Sequence, residues 1–267
     1  MQNSFNKKTV KVQTIFGEVI AYENDLITSH LLEFGAHGRS DLAFLLSVIE
    51  EGDKVFDLGA HIGTYSIPIA KKIKEKGKLL AIEGVSETHD ILVRNVINNS
   101  LSDRVITQNA VVAPSLLNLK PIIKPSNTGG TMFQIVSEPH DNLTSSSVGI
   151  EQLSKMHFIP RVIKLDIEGF EYMVLQGSLL TNLNSPILFL EVCEELLEKA
   201  SSNLDDLNQL LFSQGYRLFK NLQKVRIPSN DFSVGEVNEL KKGEILNVLA
   251  VHKNDQRIEK LLKKWNS

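Results

Sequence analysis

Cysteine is nearly absent: Cys193 stands alone in 267 residues, so no intrachain disulfide can form and a disulfide-stapled secreted scaffold is excluded. Apolar runs are short. None reaches the length of about eighteen residues that a spanning helix needs, and the polar stretch from Met1 to Val10 leads into no apolar segment of signal-peptide kind. A cytoplasmic chain in a reducing compartment is therefore expected. Charge of one sign is also scarce, with 29 Lys and Arg against 32 Asp and Glu, and no basic block could track a phosphate backbone. Nucleic acid is not the expected partner. What remains, 42% apolar and 23% charged residues without repeats, describes a globular chain able to bury a core.

From Thr9 to Tyr22, short β-branched runs broken at Gly17 predict a hairpin, read as an N-terminal β extension over residues 1–30. Leu42, Leu45, Leu46 and Ile49 have helical spacing over 41–50. Strand and helix then alternate: strand 55–58, helix 62–75, strand 78–82, helix 87–98 and strand 105–112. Pro68 falls near the start of the first of these helices, where a missing N–H is tolerated. After a proline-rich, irregular insert over 113–150, strand 162–166, helix 171–180, strand 187–192, helix 196–214 and strands 216–220 and 245–252 follow. This order predicts one α/β body over 31–254: a seven-stranded, mostly parallel sheet with helices on both faces. Residues 255–267 read as an amphipathic helix whose apolar side docks on that body.

Asp57-Leu58-Gly59-Ala60-His61-Ile62-Gly63 follows an apolar strand and opens a helix, the place where open parallel sheets bind ligands. Glycine there lets backbone approach a ligand closely, and the helix start offers free N–H donors. His61 interrupts the Gly-x-Gly-x-x-Gly pattern of dinucleotide oxidoreductases, so the Asp-x-Gly-x-x-x-Gly form favours S-adenosylmethionine over NAD. Glu83, at the end of the next strand, can accept hydrogen bonds from both ribose hydroxyls. Two readings of Asn109 stay open: its amide reaches an adenine edge, or it caps a turn.

Val162-Ile163-Lys164-Leu165-Asp166-Ile167-Glu168-Gly169-Phe170-Glu171 is the most distinctive decapeptide. Asp166 ends a strand beside the same crevice, with Glu168 beyond it and Lys164 two residues before, on the same side of the strand. Asp166 is the candidate general base, Glu168 and Lys164 its partners; the alternative is a structural cap network with Glu171. Asp166, Glu168 and Glu191 are also hard oxygen ligands that can hold a divalent metal, a role not favoured on ligand type alone. His30, His37, His61, His89, His140, His157 and His252 show no paired metal spacing. His140, His157 and Asn127-Thr128-Gly129-Gly130 are candidates for the acceptor side.

Together, the stretch Gly52 to Gly63 and the decapeptide resemble the FkbM family of S-adenosylmethionine-dependent methyltransferases, with a likeness running from about Glu33 to Val192. The resemblance implies a Rossmann-like class I methyltransferase fold and methylation of a hydroxyl on a sugar, glycan or other natural product. It implies cofactor contacts at Asp57, Gly59, His61, Gly63 and Glu83. The chain departs from the family at His61, where asparagine is usual, at Gly84, where proline commonly follows the acid, and at Glu151, where aspartate is frequent. His61 is still able to hydrogen-bond the methionine part of the cofactor. A nicotinamide oxidoreductase and a fold that has lost turnover are the competing readings.

Overall fold

Strands with apolar residues on both faces need cover on both sides, and the centre of this chain is built from such strands, nearly all of whose positions are buried. The computed structural model describes residues 7–113, 117–136, 145–223, 229–243 and 246–265. In chain order its strands are β1 (Thr9–Thr14), β2 (Gly17–Tyr22), β3 (Lys54–Leu58), β4 (Lys78–Glu83), β5 (Val105–Asn109), β6 (Val111–Val112) and β7 (Asn118–Ile122). They continue as β8 (Met132–Val136), β9 (Ser145–Val148), β10 (Val162–Leu165), β11 (Ile187–Val192), β12 (Tyr216–Asn221), β13 (Val234–Val237) and β14 (Leu246–His252).

The central sheet has the order β13-β12-β14-β11-β10-β3-β4-β5. β11, β10, β3, β4 and β5 are mutually parallel, while β14 runs antiparallel to both its neighbours. The fold is the Rossmann-like one the sequence predicts, with eight strands in place of seven. Val234–Val237 adds the extra strand, pairing antiparallel with the edge of β12. Its Val-Gly-Glu-Val sequence is too short and polar to signal a strand without that partner.

Side chains alternate between two cores, one on each face. Val55, Leu79, Val162 and Phe189 meet the hairpin and the helices Leu26–Phe34, Arg39–Val48, Ser66–Ile73 and Ser86–Asn98. Phe56, Leu80, Ile163 and Leu188 meet the helices Ile150–Met156, Glu171–Leu175, Leu179–Asn182 and Leu204–Ser213. The C-terminal helix Ile258–Trp265 closes the first core: the Trp265 ring lies 5.8 Å from that of Phe44 and 5.1 Å from that of Phe219. The hairpin is fastened by buried Asn95, which accepts from Ile20 N at 2.7 Å and donates to Ile20 O at 2.9 Å and to Ile62 O at 2.8 Å.

Four further expectations are corrected. The expected strand 105–112 breaks at Ala110, after which Val111–Val112 pairs with β9 in a separate sheet of order β6-β9-β7-β8. The insert is thus partly a small β-sheet, not an irregular loop. The expected helix 171–180 is two helices parted around Gly177 (φ +74°), and the expected helix 196–214 is Glu194–Lys199 followed by Leu204–Ser213.

Candidate active site

Register aligns the site. Leu58 pairs with Ile82 on one side and Leu165 on the other, and Leu165 pairs with Leu190. The next residues, Gly59, Glu83, Asp166 and Glu191, therefore share one row at the carboxyl ends of four adjacent strands, where peptide directions leave the chain free to turn away and open a crevice. A cleft of about 480 Å³, counted to its open mouth, lies there. Gly59, His61, Ile82, Glu83 and Gly84 form its floor. Ala110, Val111, Thr128 and Phe133 close one side, and Asp166 and Glu168 the other.

Gly59 has φ +79°, and a Cβ on it would fall 1.8 Å from Asp166 O, so β3 and β10 diverge from a contact that no side chain fits. The glycine serves backbone crossing as well as ligand approach. Its carbonyl accepts from Lys164 Nζ at 3.2 Å. Lys164, buried under the cleft floor, sits 3.2 Å from Asp57 and 3.3 Å from Asp166. Burial alone would lower the lysine pKa, but the two carboxylates more than reverse this, so it is a fixed cation. Asp57 is fully buried, accepts from Ser66 Oγ at 2.6 Å, and reaches the cleft through Lys164 rather than as part of its wall.

Asp166, Glu168 and Glu191 bring one carboxylate oxygen each within 4.8 Å of one another. Burial would raise Asp166, yet Lys164 and the hydrogen bond from Glu191 hold it below the ordinary carboxylate range. The negative charge of Asp166, together with burial, drives Glu191 well above that range, so Glu191 donates the shared proton. Burial, then Asp166 and Glu171, push Glu168 up to about 8. Glu171 is turned inward, accepting from Ile167 N at 3.1 Å and Gly169 N at 3.4 Å, and burial raises it to about 7. Among Asp166, Glu168 and Glu191, Asp166 is the one held as an anion.

Glu83 accepts from His61 N at 2.9 Å and Val85 N at 2.8 Å, one bond on each oxygen, and burial still pushes its carboxyl up to about 7. Each oxygen keeps a second lone pair for a ligand hydroxyl. Beside it, Ile82, Ala110, Val111 and Phe133 make an apolar wall suited to a flat base. These features fit an adenosyl ligand.

A family model described as the methyltransferase FkbM domain matches residues 57–218, more than half of the chain. The chain belongs to the FkbM methyltransferase family. With it, the chain is an S-adenosylmethionine-dependent methyltransferase. No curated protein matches the sequence. Among solved structures, the methyltransferase FkbM from Methylobacillus flagellatus KT is similar at 17% identity and a TM-score of 0.50, over 84% of this chain and 53% of that one. The present chain thus spans about half of that protein's length. An S-adenosylmethionine-dependent O-methyltransferase from Thermotoga maritima is similar at 12% identity and a TM-score of 0.43, over 91% of this chain and 85% of that one. At such identities the likeness concerns the fold.

The departures from the family pattern have local counterparts. At Gly84, where the family commonly has proline, a Cβ would fall 2.5 Å from Phe133 and 2.8 Å from Val111, so the insert occupies the space a larger residue would need. Gly63 does not line the cleft; it lies on the hairpin side, where a Cβ would meet Leu92 at 2.9 Å. Asn109 donates to Glu83 O at 2.8 Å and lies outside the cleft wall. His157 lies 3.3 Å from Gln108 and outside the cleft, and His140 is outside the described residues. Glu151 pairs with Lys155 on the exposed face of the helix Ile150–Met156. Thr128 and Gly129 do line the cleft, on a short 3-10 turn.

Sequence reasoning missed two features. Asp25, the N-cap of the helix Leu26–Phe34, accepts from Thr128 N and Thr128 Oγ1, both at 2.9 Å, and so ties the N-terminal segment to the insert over the cleft. His30 and His37, unremarkable as single residues, stack with their Nδ1 atoms 3.0 Å apart. The Asp25 contact spans 103 residues, and no local pattern announces it.

Proposed function

We propose that this methyltransferase acts on oxygen, taking a hydroxyl of a sugar, glycan or other small natural product as acceptor. The observation that carries the reading is Asp166, a carboxylate beside the cleft held 3.3 Å from the buried Lys164 cation and hydrogen-bonded by Glu191. When bound, S-adenosylmethionine supplies an electrophilic methyl group on a sulfonium. Glu83 would hold the ribose hydroxyls, Ile82, Val111 and Phe133 would cover the base, and the Gly59 turn would lie beneath the rest.

Positioning is the largest part of such a displacement: the acceptor oxygen must be held in line with the methyl group and water kept away. Asp166 accepts the hydrogen bond of the hydroxyl and so fixes which lone pair faces forward. Lys164 makes Asp166 a weak base, and a weak base suffices here. As the carbon–oxygen bond forms and the methyl carbon–sulfur bond breaks, leaving the neutral thioether S-adenosylhomocysteine, the acceptor oxygen would become strongly acidic and its proton would pass to Asp166 late in the transfer. Glu168, protonated at neutral pH by its raised value, adds a donor beside the acceptor, and Glu191 keeps its proton on the bond to Asp166, so neither adds a competing charge.

The same three oxygens satisfy the spacing of a divalent-metal site. Lys164 already stands as a countercharge 3.3 Å from Asp166, which favours proton transfer over metal ligation. Membership of the methyltransferase family sets aside the nicotinamide oxidoreductase reading. The test is mass spectrometry of a panel of hydroxyl, amine and carbon acceptors incubated with S-adenosylmethionine, with the wild type and Asp166→Asn side by side. One acceptor gaining a methyl group in the wild type and not in the variant supports the reading; transfer to nitrogen or carbon acceptors alone contradicts it. Turnover on no acceptor, with cofactor still bound, favours a fold that has lost catalysis.

A further inference from the structure

The neighbours of His61 decide which of its ring nitrogens carries the proton. Thr128 Oγ1 lies 2.9 Å from His61 Nε2 and donates its own hydrogen to Asp25 Oδ2 at 2.9 Å. Asp25 is buried and also accepts from Ile27 N at 2.9 Å and from Lys7 Nζ at 3.1 Å. Burial works to raise its carboxyl, but these donors bring it below the ordinary range, so it is an anion with no proton to return. Thr128 has one O–H, spent on Asp25, and its oxygen meets His61 as an acceptor. Nε2 therefore carries the proton. Burial lowers the imidazole to about 4, which leaves the ring neutral and Nδ1 a bare lone pair. Nδ1 is buried, and among the described residues nothing donates to it.

A buried acceptor without a donor is costly, and in a ring that forms part of a ligand cleft it points to a donor on the ligand. The order of strands says which donor. The ends of β5, β4, β3 and β10 lie side by side in that sequence. A nucleoside whose ribose is held by Glu83 at the end of β4, with its base toward Ala110 and Val111 beyond β5, carries its amino-acid tail over the turn after β3, where His61 sits. That tail bears an ammonium group. A neutral imidazole accepts from it, whereas an imidazolium would repel it.

We propose that Nδ1 of His61 receives the ammonium group of the bound cofactor, and that Asp25 and Thr128 are positioning residues that hold His61 in the accepting tautomer. The assignment rests on the cofactor reading above. It joins the insert and the N-terminal segment in one role. Cofactor affinity depends on both being docked, because each supplies one link of the relay to the ring.

Two measurements test it. Long-range nitrogen-15 NMR of the cofactor-free chain reads the tautomer directly: Nδ1 of His61 is expected to show the shift of an unprotonated ring nitrogen, and a proton on Nδ1 overturns the proposal. Calorimetry then compares S-adenosylhomocysteine with its deaminated analogue. The wild type is expected to bind the deaminated compound about tenfold to a hundredfold more weakly, the range for a hydrogen bond to a charged group. His61→Phe should erase that preference, and His61→Asn, which restores an acceptor, should recover part of it. Thr128→Val, which keeps shape and frees the tautomer, should weaken S-adenosylhomocysteine and leave the analogue nearly unchanged. A preference undiminished in His61→Phe or Thr128→Val overturns the assignment alone. A wild type that binds neither compound overturns the cofactor reading and the assignment with it.

Discussion

Lys164 Nζ lies 3.3 Å from Asp166 Oδ2 on one side and, on the other, closes a buried pair with Asp57 at 3.2 Å. One cation thereby serves the core and the cleft. Lys164→Met should destabilise the chain by about 3–5 kcal/mol, because Asp57 is left charged in the interior. It should also raise the Asp166 carboxyl and move the acid limb of the pH–rate profile to higher pH. Chemical denaturation and a pH profile of the residual activity measure the two effects.

Asp166→Asn removes the base and keeps the shape. Turnover is expected to fall by about 10²- to 10⁴-fold, the usual contribution of a positioned base, while the S-adenosylhomocysteine dissociation constant stays within about twofold. Full turnover would remove Asp166 from the chemistry.

Stability should fall as pH rises through neutrality. Burial raises Glu168 to about 8 and Glu83 and Glu171 each to about 7, against an ordinary value of 4.5, so the folded chain holds protons that the unfolded chain releases. The stabilisation is complete below the unfolded value and is lost as pH climbs through the folded ones. Thermal melts of the cofactor-free chain between about pH 7 and about pH 9 should show a falling midpoint, and Glu168→Gln should flatten the slope. This interval lies above the range where the buried His37 and His61, both lowered to about 4, act in the opposite sense. A midpoint that rises over this interval contradicts the assignment of these groups.

Chelation distinguishes the two uses of the acid cluster. If Lys164 is the countercharge of Asp166, exhaustive dialysis against a chelator leaves methyl transfer unchanged, and added Mg²⁺ does not accelerate it. A loss restored by metal would assign Asp166, Glu168 and Glu191 to an ion instead.

The parallel half of the sheet was legible because most of its strands are rich in apolar residues and bounded by turn residues; Ile187–Val192 has the limits read from its sequence. Asp57, Glu83 and Asp166 were legible for the same reason, since each lies in or at the end of such a strand. What escaped was made by partners distant in sequence. Pro121 reads as a breaker, yet it sits in β7, where the pairing of β9 involves only Asn118 and Leu119 and leaves the proline on an open flank. The break between Glu194–Lys199 and Leu204–Ser213 did have a local sign: Asn203 caps the second helix by accepting from Asp206 N at 2.8 Å. A run of well-spaced leucines outweighed it. Nothing near Asp25 or His61 reveals that Thr128 joins them.

The most direct measurement is calorimetric titration of S-adenosylhomocysteine into the wild type and into Glu83→Ala. The account predicts binding by the wild type and a weakening of about 1–3 kcal/mol in the variant, whose ribose partner is gone. Undiminished affinity in Glu83→Ala, or a wild type that binds NAD and not S-adenosylhomocysteine, would contradict it.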